Sequence, residues 1–147
     1  MAMSAIFLWR HPVVQDEIDE QLRHANNEVY LHWMNQAAVA HSAALGWPVS
    51  TYIQMGQCWV VRRHEIEYLR PAGPGSTIVV RTWVRTLDKA SSWRAYRIQD
   101  ESGRTVFARG QTLWAWINSQ TGRPCRIPAE VCAAFSPLSE DPFELSS

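Results

Sequence analysis

The period of the apolar residues changes at Gly56, and that change limits what the chain can fold into. Before it, Val29, Trp33, Ala37, Ala40 and Ala44 recur at three- and four-residue steps, the mark of one buried helix face. Asn26 or Asn27 supplies an N-cap, Glu28 suits the positive end of the dipole, and Gly46 with Pro48 ends the run. A helix over Glu28 to Leu45, eighteen or nineteen residues long, would span about 27 Å at roughly 1.5 Å per residue.

After Gly56 period two takes over. Cys58 to Tyr68 places Val60, His64, Ile66 and Tyr68 on one face and Arg63, Glu65 and Glu67 on the other. Ile78 to Thr86, Trp93 to Ile98 and Val106 to Ile117 continue the pattern, the last with a bulge expected at Gly110. Pro71 to Gly75, Asp88 to Ser91 and Asp100 to Gly103 separate them, Ile6 to Val14 adds a leading strand, and a short helix fits between Pro128 and Phe135.

Hairpin-length connections force antiparallel neighbours, and a sheet needs its apolar face covered. Only the central helix is long enough to cover it. The expected class is α+β: a single antiparallel sheet of about five strands wrapped around one long α-helix. It forms one domain over residues 1–147, with about the last ten residues a loose tail. The opposite sheet face alternates Trp with Arg, which suits an interface with a second copy.

Fourteen Lys+Arg against fourteen Asp+Glu, with a pI near 7.0, argue against nucleic acid as a partner. No apolar run is long enough for a membrane span, and MAMSAIFLWRHP does not read as a signal peptide. Cys58, Cys125 and Cys132 are widely spaced, without metal-ligand spacing, which fits a reducing, cytoplasmic setting and no metal site.

The candidate chemistry lies where acids meet the helix start. Unpaired N–H groups there can hold a developing oxyanion, and a carboxylate upstream can act as nucleophile or as base for water. Asp19 and Glu20 fit that place; the competing reading is solvated loop acids beside a dipole. His24 is a proton carrier or a hydrogen-bonded loop residue, and Asn26 and Asn27 exceed what one cap requires. His64 is a buried strand residue by default and otherwise a neighbour of the helix start. From Arg62 to Arg109 ten cations face five acids, a net +5 that could hold the phosphates of a nucleotide-tailed substrate; Lys89 and Arg94 belong to it. Edge-strand charges and interface ion pairs explain the same residues.

The stretch from Glu17 to Trp33, EIDEQLRHANNEVYLHW, resembles the D-x-x-G-H-V-N-N-x-x-Y-L signature of hotdog-fold acyl-CoA thioesterases of the 4-hydroxybenzoyl-CoA thioesterase-like branch. His64 to Ala72 is similar to the second strand of that family, and Ala108 to Trp114 followed by Thr121 to Pro124 to its last. The resemblance implies cleavage of an acyl-CoA thioester without metal or bound cofactor, in a homodimer or homotetramer. It assigns Asp19 as nucleophile or base and the Asn27 N–H as oxyanion donor. It makes His24 and Asn26 pocket-shaping positions and packs Tyr30 beneath the site. Gln21 is one residue more than the signature, so without a gap Glu20 takes the acid position. Arg23 stands where Gly is usual, and a position needing positive φ tolerates Arg poorly. Other readings on this fold are a non-catalytic acyl-ligand module, a hydrolase of acyl-carrier-protein thioesters, and an interaction domain using the Trp-rich face.

Overall fold

The computed structural model describes residues 5–143. In chain order the elements are β1 (Phe7–Pro12), a 3-10 turn (Gln15–Glu17), β2 (Ile18–Asp19), β3 (His24–Ala25), α1 (Asn27–Ala44) and α2 (Val49–Met55). Then come β4 (Gln57–Tyr68), β5 (Thr77–Val84), β6 (Ser91–Asp100), β7 (Val106–Asn118) and α3 (Ala129–Ala134). Five strands form one antiparallel sheet in the order β1-β5-β6-β7-β4, and β2 pairs with β3 in a small separate hairpin. α1 lies on the sheet, with Trp33, Met34 and Ala37 fully buried against Ile78, Val80, Ile98 and Ala108. Fold class and helix agree with the sequence pattern; Asn26 is the cap, its side chain accepting from the Glu28 N–H at 3.1 Å.

Four details differ. Seven residues after Pro48 form α2, which is too short to show a helical period and ends on Gly56 at φ 73°. β7 keeps its register through Gly110, and the irregularities fall at Val61/Arg63 and Ile98/Gln99 instead. Gly110 answers a different need: a Cβ there would lie 2.5 Å from the Glu65 carbonyl oxygen and 3.3 Å from Met34 Cε. The irregularity at Arg62 also turns Val60 away from His64, Ile66 and Tyr68. Trp59 and Val61, opposite Trp116 and Trp114, take the helix-facing side in its place.

The fourth concerns the face away from α1. Part of the segment expected to be loose crosses it: the Leu138 N–H donates to the Val84 carbonyl at 2.8 Å. Phe143 lies 4.7 Å from the Arg97 guanidinium, 5.6 Å from that of Arg81 and 5.6 Å from the Trp83 ring. The chain itself covers this part of the Trp–Arg face that suggested a second copy.

Candidate active site

The short β2–β3 hairpin delivers the acids to the front of α1. Asp19 pairs with His24, and the Arg23 N–H closes the turn on the Asp19 carbonyl at 2.8 Å. Arg23 itself adopts φ 60°, the left-handed conformation in which glycine is at ease. The Gln21 and Leu22 N–H groups donate to Asp19 Oδ1 at 2.9 and 3.0 Å. Gln21, the residue in excess of the signature, is thus absorbed in the turn and helps hold the Asp19 side chain. Among the described residues Oδ2 receives no hydrogen bond.

Glu17 anchors the hairpin. Its carboxylate accepts from Val14 N–H, His11 Nε2 and the fully buried Trp33 Nε1 at 2.8–3.0 Å. Burial pushes its carboxyl up, but these donors outweigh that and hold it below the ordinary value. The Glu17 carbonyl accepts from the Asn26 N–H at 2.9 Å, and the Ala72 carbonyl from the Ala25 N–H at 2.8 Å, so the helix front is tied on both sides. Tyr30 is buried beneath, its hydroxyl accepting from the Ala72 N–H at 3.1 Å. His24 Nδ1 lies 3.2 Å from the Ala25 carbonyl, a bond only an Nδ1-protonated ring makes.

Asp19, His24, Asn26, Asn27 and Tyr30 all line one cavity of about 380 Å³. Leu22, Tyr68 and Arg70 are also part of its wall. The Tyr68 hydroxyl donates to the Asn27 carbonyl at 2.8 Å, while the Asn27 N–H has no acceptor among the described residues. Tyr68 and Arg70 were not singled out as site residues from sequence. The signals were that Arg70 is one of the ten cations considered for phosphate and that Tyr68 shares the inward face of its strand with Ile66.

Four expected residues lie elsewhere. Glu20 is exposed and does not line the cavity. His64 lies further along β4, Nδ1 2.8 Å from Thr112 Oγ1, and burial lowers its pKa. Lys89 is exposed in the β5–β6 turn. Arg94 is no surface phosphate ligand: it is 5% exposed, on the helix-facing side of β6, its Nη1 3.0 Å from Thr82 Oγ1 and 2.9 Å from His41 Nδ1. Burial first, and then the Arg94 charge, pushes His41 down to about 4.

This arrangement, a carboxylate and a free N–H donor lining one cavity at a helix front, fits acyl transfer. Comparison with known proteins agrees. A family model for the acyl-ACP thioesterase N-terminal domain matches residues 5–135. The acyl-(acyl-carrier-protein) hydrolase FATB3, chloroplastic, of Cuphea viscosissima is 35% identical over 83 residues, 56% of this chain and 20% of the relative. The palmitoyl-acyl carrier protein thioesterase, chloroplastic, of Cuphea hookeriana is 30% identical over 79 residues, 54% of this chain and 19% of the relative. The chain thus spans a small part of the length of these curated relatives. The structure of Slr0204, a 1,4-dihydroxy-2-naphthoyl-CoA thioesterase from Synechocystis, superposes with a TM-score of 0.82 at 16% identity, covering 92% of this chain and 99% of that one. With nearly its whole length matched and the hotdog architecture in place, the chain belongs to the acyl-ACP thioesterase N-terminal domain family.

Proposed function

We propose that this chain hydrolyses acyl thioesters at the front of α1. The observation that carries the reading is that Asp19 and the free Asn27 N–H line the same cavity. Asp19 Oδ2 takes a proton from water as the water oxygen adds to the thioester carbonyl. The oxygen of the resulting tetrahedral species accepts from Asn27 N–H, and the carbon–sulfur bond then breaks, the thiolate leaving to be protonated. Direct attack by Asp19 would instead pass through an anhydride, which trapping with hydroxylamine detects. Glu20, exposed and away from the cavity, takes no part.

The substrate is a thioester of CoA or of acyl carrier protein, with Arg70 at the cavity wall placed for a phosphate of the carrier arm. Family membership supports the carrier protein, and the resemblance noted from sequence supports CoA. The three cysteines are unpaired, which supports a cytoplasmic setting.

The working unit in this reading is a homodimer made through β4. That strand is an edge of the sheet, twelve residues long, with Val60 and Val61 36% and 39% exposed. Antiparallel pairing of two such edges sets the Tyr68 end of one beside the Gln57 end of the other. The test is thiol release from acyl-CoA and from acyl-carrier-protein. Asp19→Asn is expected to lose about a hundredfold or more while Glu20→Gln keeps the wild-type rate. Equal rates in all three proteins refute the carboxylate mechanism, and tight binding without turnover identifies an acyl-binding module.

A further inference from the structure

A second cavity, of about 260 Å³, lies at the other end of α1, between that helix, α2 and the sheet. Apolar side chains dominate its wall, among them Trp59, Val84, Leu87 and Phe135, and the exposed Val49 and Ile53 rim it. Arg94 reaches it from the sheet side. Only Arg94 Nη1 makes hydrogen bonds among the described residues, to Thr82 and His41; Nε and Nη2 make none.

No Asp or Glu lines this cavity, and no carboxylate pairs with Arg94 among the described residues. Arg stays protonated in proteins, so a full positive charge stands in the interior without a counterion. The hydroxyls that share the wall are committed elsewhere. Ser42 is bonded to the Trp47 carbonyl and to the Tyr52 hydroxyl at 2.6 and 2.7 Å, and Ser92 donates to the Thr86 carbonyl at 2.7 Å. An apolar hollow with one uncompensated guanidinium favours a ligand that is greasy along its length and anionic at its tip, because the desolvation of the cation is already part of the fold.

We infer that this cavity takes an apolar chain ending in a carboxylate, with the carboxylate seated on the free guanidinium edge of Arg94. The chain is either the far end of the acyl group being hydrolysed or a separate fatty acid. The first source rests on the proposed function and on β4 pairing, which sets this end of one protomer beside the helix front of its partner; the binding chemistry itself does not.

The test is calorimetric titration of the full chain with decanoate and with decanol, for wild type, Arg94→Met and Val49→Trp, which plugs the rim without touching the core. Decanoate is expected to bind wild type at least about tenfold more tightly than decanol. Arg94→Met should erase that preference, and Val49→Trp should weaken both ligands. Equal binding of acid and alcohol, no binding of either, or an acid preference that survives Arg94→Met overturns the inference. Should Arg94→Met fail to fold, decanoate binding that is not weakened in Val49→Trp overturns it equally.

The source is read from thioester kinetics. A higher kcat/KM for the CoA half-thioester of a dicarboxylic acid than for the methyl-ended thioester of equal length places the acyl group there. No such difference, with decanoate still bound through Arg94, assigns a separate acid. Decanoate binding in a protein that cleaves no thioester at all leaves this site standing and removes the hydrolytic reading.

Discussion

Arg23 offers a clean measurement of strain inside the loop that carries Asp19. Its φ of 60° places an L-residue in the left-handed region, at a cost of about 1–2 kcal/mol. Among the described residues its side chain makes no hydrogen bond or ion pair, and the residue is exposed, so little is lost with it. Arg23→Gly removes the strain but loses roughly 0.5–1 kcal/mol to the greater freedom of an unfolded glycine. The net expectation is a gain of about 0.5–1 kcal/mol, or about 2–3 °C in Tm for a chain of this size. Arg23→Ala is the control, because it deletes the side chain and keeps the strain. Thermal unfolding of the three proteins at one pH decides the matter. If Gly is no more stable than Ala at this position, the strain argument is wrong.

Two further perturbations address the core. Glu17→Ala strips the acceptor from the fully buried Trp33 indole and is expected to cost about 1–3 kcal/mol in urea unfolding; a loss below about 0.5 kcal/mol would mean the network holds nothing. His41 is held from the ordinary 6.5 down to about 4, so the folded chain keeps the ring neutral while the unfolded chain protonates first. Its contribution to stability is complete above pH 6.5 and is lost as pH falls towards 4. Denaturant unfolding between pH 6.5 and 5 should therefore show a smaller pH dependence in His41→Gln than in wild type, and equal slopes would count against that coupling.

The long helix and the strands were legible because burial on one face writes its period into eighteen residues of α1 and into each strand. Seven residues of α2 are too few for that signal. The irregularity at Arg62 leaves no mark in composition, so strict alternation carried Val60 to the wrong face. Arg94 was readable in principle: it shares parity with Tyr96 and Ile98, both buried, but its charge invited a surface role. At the helix front, the choice between Asp19 and Glu20 could not be made by spacing. It depends on how the Gln21 and Leu22 amides fold back onto one carboxylate, a matter of turn geometry. Tyr68 and Arg70 reach the site from more than forty residues away, which no local pattern encodes.

The extra residue at Arg62 has a consequence for how this edge can vary. It divides the longest exposed strand into two halves whose odd and even positions are swapped, so that Trp59 and Tyr68 look the same way. Loss of a single codon there would not trim a loop. Val61 and Arg63 already face consecutive residues of β7, Trp114 and Leu113, so the deletion would flatten the bulge and leave every cross-strand pair in place and every side chain on its present face.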